Sequence, residues 1–538
     1  MTVLLAISPV LLIFILMTVA RRTADVAGLI GWLYTALVAA FFFHTSWQVI
    51  LVGSLAGMIA SFPISLMVVT SIFQINVMEE AGAVRRLVVF MKTLSSADRA
   101  TQVMVINVGI GTLLAALGAT PVSILPPIML SLGYSAFVAI ALPAIGYDAL
   151  CTYALLGVPV VVFADVAKGI TGREFTPAEV GLYFARYMPV ITSCIALAML
   201  WIVGGWRQVG RGWHVALLTG ITAGFIAIGM NAAGLPTLTG VVAGLGVVFV
   251  MLLYLRLRGH RVVDRTALVP ADLQVEHGMR LAVAVLPWLL LVLFSIITNF
   301  KPLGLYDTVF GRWAMPVEIV PGRPERLRLL WQAYTWVLVA TLVAIPFYRM
   351  SRATFRAACL KTRRRAPRPA LAAAIYFAIA YVLNHSGKVP AAGDSGGVWA
   401  LDPAGGLNMV KVVADACAAT FHGAYGGVAA FLGLLGGFIS GSETSSIAML
   451  SKLHFETMAQ VFTGLASEDL LEKSLLVAAV SGIGGGLASV ISPAKLQNAA
   501  AVIDKIGMES QVIRAATVIA LLLTLVAALL TFVFLAWM

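Results

Sequence analysis

The sequence predicts an all-α polytopic membrane protein, an inverted repeat with two re-entrant hairpins and two interrupted transmembrane helices. Three observations carry that prediction. Apolar residues make up 60% of the 538-residue chain and charged residues 11%, with a mean hydropathy of +0.97; a soluble globular chain has about 25% charged residues. Apolar runs of about 16 to 30 residues recur from end to end, and a bilayer core takes about 20 residues per helix. Two further stretches, in corresponding places of the two halves, are apolar yet interrupted by Gly, Pro, Ser and Thr. Segments of alternating polarity are lacking, which argues against an outer-membrane barrel.

In chain order the apolar runs begin near 3–20, 26–43 and 48–78. The first has neither a basic leader nor a small-residue cleavage site, so it reads as a span and not a signal peptide. An amphipathic stretch with Arg85, Arg86, Lys92 and Arg99 precedes the first broken stretch, 103–133, and the long run 135–164. Runs at 187–205, 214–231, 235–255, 281–299, 329–347, 369–384 and 405–420 follow. The second broken stretch, 425–455, precedes the long run 474–504 and a last span at 513–537. The chain thus divides into 1–102 (N-terminal spans), 103–164 (first hairpin and broken helix) and 165–368 (middle spans). The remaining parts are 369–424 (spans leading to the second repeat), 425–504 (second hairpin and broken helix) and 505–538 (last span).

The net charge of +12 is read by its location. Arg21-Arg22, the stretch 85–99, Arg207/Arg211, the loop from Arg256 to Arg280, Arg349 to Arg368 and Lys505/Arg514 share one side. That side holds 23 of the 36 basic residues against 12 on the other, so it is expected to be cytoplasmic. Both termini then lie outside a plasma membrane, provided both broken stretches return to the side they came from. The alternative for each is a pair of short full spans. Basic residues placed this way imply a lipid bilayer and no nucleic-acid partner. The four cysteines stand singly, with no metal-ligand spacing. No nucleotide, protease or esterase motif is present and no loop is long enough for a nucleotide domain, so neither an enzyme nor a cofactor is expected.

By this topology the first hairpin enters from the cytoplasm and the second from outside. Paired broken segments in corresponding positions point to a transporter site near the membrane midplane. Gly436-Gly437 and Gly484-Gly485-Gly486 fit close helix packing. Packing does not account for Ser440, Ser442, Glu443, Thr444, Ser445 and Ser446 clustered at a membrane-depth turn. Those hydroxyls, with Thr120 and Ser123 of the first hairpin and Ser492 at the second break, are candidate donors to a small organic anion. Lys495, just past Ser492-Pro493, either supplies a positive charge to that anion or snorkels to the surface. Glu443 and Asp148 are acids at helix interruptions, where burial favours the neutral form and makes each a candidate proton carrier. The competing readings are a helix cap for Asp148 and a solvated loop for Glu443. Lys411 and Asp415 fit a pair one turn apart, and His385 fits a span boundary.

Gly441-Ser442-Glu443-Thr444-Ser445-Ser446 resembles the Gly-Ser-Asp-Thr-Ser-Ser tip of the L-lactate permease family. Ile491-Ser492-Pro493, Asn384-His385-Ser386-Gly387 and Gly157-Val158-Pro159-Val160 are similar to further motifs of that family. The resemblance spans nearly the whole chain and implies a proton-coupled symporter of lactate, glycolate or a related 2-hydroxy acid; the alternatives are a carrier of the same fold for another organic anion or coupled to Na⁺, and a non-transporting membrane subunit of a larger complex. The resemblance places the proton first on Glu443, which matches an acid of the motif. The chain also departs from the family pattern. The first hairpin has Leu113–Ala119 where the family carries an acid, Tyr147-Asp148 replace Asn-Thr, and the Lys before Ile-Ser-Pro becomes Ser489 while Lys495 follows it.

Overall fold

In hydrocarbon every backbone N–H and C=O needs a partner within the protein, and this chain meets that demand with helix almost from end to end. The computed structural model describes all residues except 21, 94–97, 119, 261–264, 266–267, 300–303, 322, 392–397, 493–494, 497–498, 501–502 and 506–507. Among the described residues the only strands form two antiparallel ribbons, Met315–Val320 with Arg323–Leu327 and Lys388–Pro390 with Trp399–Leu401. Ten helical stretches have the length and hydropathy of membrane spans. The protein is an all-α polytopic membrane protein.

Burial sorts these stretches into a centre and a periphery. Ser467–Ile491 is enclosed over 100% of its apolar window, Arg99–Ala116 over 89% and Ala136–Thr171 over 83%, against 39% for Asp25–Phe42 and Gln511–Trp537. The enclosed three carry the interruptions, as they must, because broken backbone at membrane depth survives only inside protein. The peripheral helices turn Leu29, Leu33, Leu522 and Leu529 outward at helical spacing.

Three elements differ from the sequence expectation. The run 48–78 is two helices, Trp47–Ala60 and Phe62–Glu80, bent at Ser61, whose hydroxyl donates to Met58 O at 2.6 Å just before Pro63. The runs 187–205 and 214–231 form one helical stretch, Met188–Ala232, folded back at Gly204-Gly205, where Gly205 has a φ of +61°. Its arms are antiparallel and so close that a Cβ on Gly212, Gly220 or Gly224 would meet Leu200, Ser193 or Pro189 at under 3 Å. The run 405–420 is the 13-residue helix Met409–Phe421, about 20 Å long and short of a hydrocarbon core of about 30 Å. Asp415, on this helix, accepts from Gln460 Nε2 and not from Lys411.

Both broken stretches are helical hairpins. The first runs Arg99–Ala116, with Asp98 capping its start by accepting from Ala100 N (3.3 Å) and Thr101 N (3.0 Å), and returns as Pro121–Ser131. The second runs Tyr425–Ser440 and returns as Glu443–Val461. A broken helix follows each. The first one, Ala136–Tyr147, tightens at Asp148–Tyr153, passes through Leu155, Leu156 and Gly157 in the left-handed region, and resumes to Thr171. Thr192 Oγ1 donates to Ala149 O at 2.7 Å, meeting a carbonyl freed by the interruption. The second, Ser467–Leu487, tightens at Ala488–Ile491 and goes extended at Ser492. Where the second hairpin crosses its broken helix, backbones touch: a Cβ on Gly433 or Gly437 would stand 1.8 Å from Ser481 O or 2.1 Å from Gly485 O.

Ion pairs join the loops at each end of the bundle. At one end Arg365 meets Glu79, Lys361 meets Glu80, Arg86 meets Glu276 and Lys92 meets Asp272. At the other, Arg328 meets Asp165, Lys168 meets Glu174 and Arg173 meets Glu179.

Candidate functional site

The tip of the second hairpin is set by its own hydroxyls. Gly441 turns the chain at φ +68°, a conformation that costs a side-chain-bearing residue about 1–2 kcal/mol, and its N–H donates to Gly437 O at 2.8 Å. Ser440 Oγ lies 2.8 Å from Gly436 O and 2.9 Å from Ser442 O. Ser442 is the N-cap of the returning helix, accepting from Ser445 N at 3.4 Å. Ser446 Oγ donates across to Gly433 O at 3.2 Å and ties the two arms. These bonds place Glu443 at the first position of a helix, 3% exposed. The solvated-loop alternative is thereby excluded.

Glu443 reaches the first broken helix. Thr152 Oγ1 donates to Glu443 Oε1 at 2.6 Å, joining residues 291 positions apart. Its other oxygen, Oε2, is buried without a partner and faces Gly486, where an added Cβ would stand only 2.7 Å away. That same Cβ would be 3.4 Å from Cys151 Cβ, so the two interruptions lie face to face across the tip.

Lys495 turns into this junction. Its ammonium donates to Ser489 Oγ at 2.6 Å and sits 4.1 Å from the centre of the Tyr147 ring, an arrangement that holds the charge inside by cation–π attraction. The snorkelling alternative does not fit that geometry. Asp148 is 6% exposed, with Lys495, Glu443, the Ser489 hydroxyl and the Val490 N–H around its carboxyl. Neither of its oxygens closes a hydrogen bond, so it does not cap the following turn. Two acids, one lysine and a spread of hydroxyls thus converge from both repeats.

Of the residues singled out from sequence, Glu443, Asp148, Lys495, Ser440, Ser442, Ser445, Ser446 and Ser492 gather here. Ser492 Oγ lies 3.7 Å from where a Gly441 Cβ would be. Three of the hydroxyls, on Ser440, Ser442 and Ser446, are spent on shaping the tip. Ser445 Oγ is buried without a partner, and Thr444 is buried at 4% exposure. Thr120 is exposed at the start of Pro121–Ser131, in a turn whose Gly118 packs on Ser71 and Leu155. The Ser123 side chain lies outside the described residues. Sequence reasoning missed Thr152, one helical turn beyond Asp148 in the same interruption. It passed over Ser489 as a lost lysine.

A cleft of about 1110 Å³ opens from the end that carries Arg328, Lys168 and Lys388. It runs along the returning hairpin helix past Glu456, Phe455 and Lys452 to Ala448. Ala448 is five residues from Glu443, about 7.5 Å along the axis. Arg328 donates to both oxygens of Asp165 at 3.0 and 3.2 Å and lies 4.2 Å from the Phe310 ring. His385 lines the same cleft, 5% exposed, its ring edge-on to Trp399 at 5.1 Å.

The family model for L-lactate permease matches residues 2–537. A glycolate permease of Escherichia coli (strain K12) is 24% identical over 96% of this chain and 92% of its own length. An L-lactate permease of the same organism is 24% identical over 95% and 92%, and one of Streptococcus iniae 23% over 84% and 89%. These relatives are permeases, and this multi-pass chain is accordingly a membrane transporter and not an enzyme. Matched almost from end to end, it belongs to the L-lactate permease family.

Proposed function

We propose that the chain is a secondary carrier of a small monocarboxylate, with L-lactate, glycolate or a related 2-hydroxy acid as substrate and a proton as co-substrate. The observation that carries this reading is the buried junction itself. One lysine is held inside by Ser489 and Tyr147, beside two acids with three oxygens that no protein group satisfies and an unpartnered Ser445 hydroxyl. Buried polar groups left unmatched are costly and cluster where a ligand completes them. Lys495 and Ser445 are the groups that meet the substrate carboxylate and hydroxyl. One of the two acids, Glu443 or Asp148, carries the proton.

The two hairpins are re-entrant and frame this site, and the cleft that reaches Ala448 is its outer vestibule. Movement of hairpins and broken helices against the remaining spans exposes the junction to the opposite side. The end with Arg363-Arg364-Arg365 faces the cytoplasm of a plasma membrane, and both termini lie outside. Counterflow of radiolabelled L-lactate in proteoliposomes of the purified protein tests the assignment, with glycolate, pyruvate, a dicarboxylate and a sulfonate as competitors. Exchange inhibited by 2-hydroxy monocarboxylates supports it. Absence of exchange for every monocarboxylate would overturn it.

A further inference from the structure

Asp148 is the least satisfied group in the junction: both oxygens are buried and neither accepts a hydrogen bond. The titratable groups around it come from three elements. Tyr147 and Cys151 sit on its own interrupted helix, Glu443 at the hairpin tip, and Lys495 beyond the second break. Only Lys495 among them is a cation. Its ammonium has three donors; one goes to Ser489, and the ammonium also lies 4.1 Å from the centre of the Tyr147 ring. Glu443 is differently placed, because Thr152 already donates to it.

We propose that Asp148 is an internal stand-in for the substrate: it balances Lys495 in the empty carrier, and the incoming carboxylate displaces it. This rests on the monocarboxylate-carrier reading above. When the substrate's carboxylate takes the ammonium, Asp148 is left buried without a cation, beside a Ser489 hydroxyl and a Val490 N–H that close no hydrogen bond to it. A carboxylate there is stable only with a proton on it. With Glu443 neutral throughout, the empty site balances as Lys495 with Asp148, and the loaded site balances as Lys495 with the anion plus a protonated Asp148. Substrate and proton therefore enter together, and either loaded alone leaves an unbalanced charge in low dielectric.

The test is L-lactate binding to the purified full chain by calorimetry at acid and alkaline pH. Wild-type protein binds more tightly at acid pH, because the proton removes the competitor. Asp148→Asn has no competing charge. It binds at alkaline pH about tenfold more tightly than wild type, the low end of what a close charge pair is worth, with its pH dependence flattened and proton-driven accumulation lost. Glu443→Gln keeps the wild-type pH dependence. Asp148→Ser, smaller and neutral, repeats the gain should the asparagine variant fold poorly. Unchanged or abolished binding in both Asp148 variants would overturn the proposal, as would a pH dependence that disappears with Glu443→Gln instead. If wild type exchanges no monocarboxylate in counterflow, the carrier reading itself fails. If it does exchange and Asp148→Asn keeps the wild-type pH profile, the displacement alone fails.

Discussion

Gly437→Ala puts a single methyl group where the second hairpin crosses its broken helix. That methyl would stand 2.1 Å from Gly485 O and 2.6 Å from Gly485 Cα. A carbon–oxygen contact needs about 3.3 Å, so the two helices must part by about 1 Å. Gly486, the next residue, faces Glu443, and Thr152 holds Glu443 at 2.6 Å. A displacement of that size takes the hydrogen bond beyond its effective range. Overpacking costs about 1–3 kcal/mol and the lost bond about 0.5–1.5 kcal/mol, offset by about 0.5–1 kcal/mol of helix preference for Ala over Gly. The net expectation is a loss of about 1–3 kcal/mol, read as a lower melting temperature in detergent, together with impaired L-lactate counterflow. Gly229→Ala, at an exposed helical glycine with nothing within 4 Å, is the matched control and should not lower the melting temperature. A Gly437→Ala protein that melts and exchanges like its parent would refute the idea that backbone contact at this crossing sets the tip.

Three further outcomes are expected. Lys495→Met removes the only cation of the junction among the described residues and should weaken L-lactate binding by about 100-fold, since unpairing a buried charge pair costs about 2–5 kcal/mol; binding within a few-fold of wild type would take Lys495 out of the site. Ser445→Ala removes a hydroxyl with no protein partner, and should lower affinity about 2–13-fold while leaving the melting temperature unchanged. A cysteine introduced at Arg364, in a chain without its native cysteines, should resist an impermeant maleimide added to intact cells and react in inverted membranes; labelling from outside would reverse the orientation.

The interruptions were legible because Gly, Pro, Ser and Thr cluster within apolar runs long enough to span. Asp148 and Glu443 stood out for the same reason, as charges in places where a charge is expensive. What the sequence could not show is who answers them. Thr152 meets Glu443 across 291 positions, and no local pattern distinguishes that threonine from one that merely bonds back along its own helix. Arg207 and Arg211 read as a loop between two spans, yet they sit on a helical arm just past the fold at Gly204-Gly205, because the turn needs two residues and leaves the flanking backbone free to stay helical. Thr120 reads as a candidate donor for its hydroxyl alone. The two tips differ physically: the second is closed by serines bonded to each other's backbone, whereas Thr120 makes no capping bond at all.

The exchange between Ser489 and Lys495 shows why an alignment column and a site are different things. The family pattern puts a lysine before Ile-Ser-Pro, and this chain has Ser489 in that place and a lysine after the break. Along the sequence the charge has moved six positions. In this fold the ammonium returns to the Ser489 position, because the chain goes extended at Ser492 and Lys495 donates to the Ser489 hydroxyl at 2.6 Å. An unbroken helix would not allow this: six residues advance about 9 Å along the axis and turn the side chain away. The interruption is therefore what permits the swap, by bringing both flanks of the break to one point. It also makes the swap testable, since Ser489→Lys combined with Lys495→Ser restores the family order while keeping one ammonium at that point. Retained L-lactate binding in the double variant, with loss in Lys495→Ser alone, would establish that the site requires a charge at a place and not at a position. Loss in both would mean that the direction from which the lysine enters matters, with the Tyr147 ring contact as the feature that fixes it.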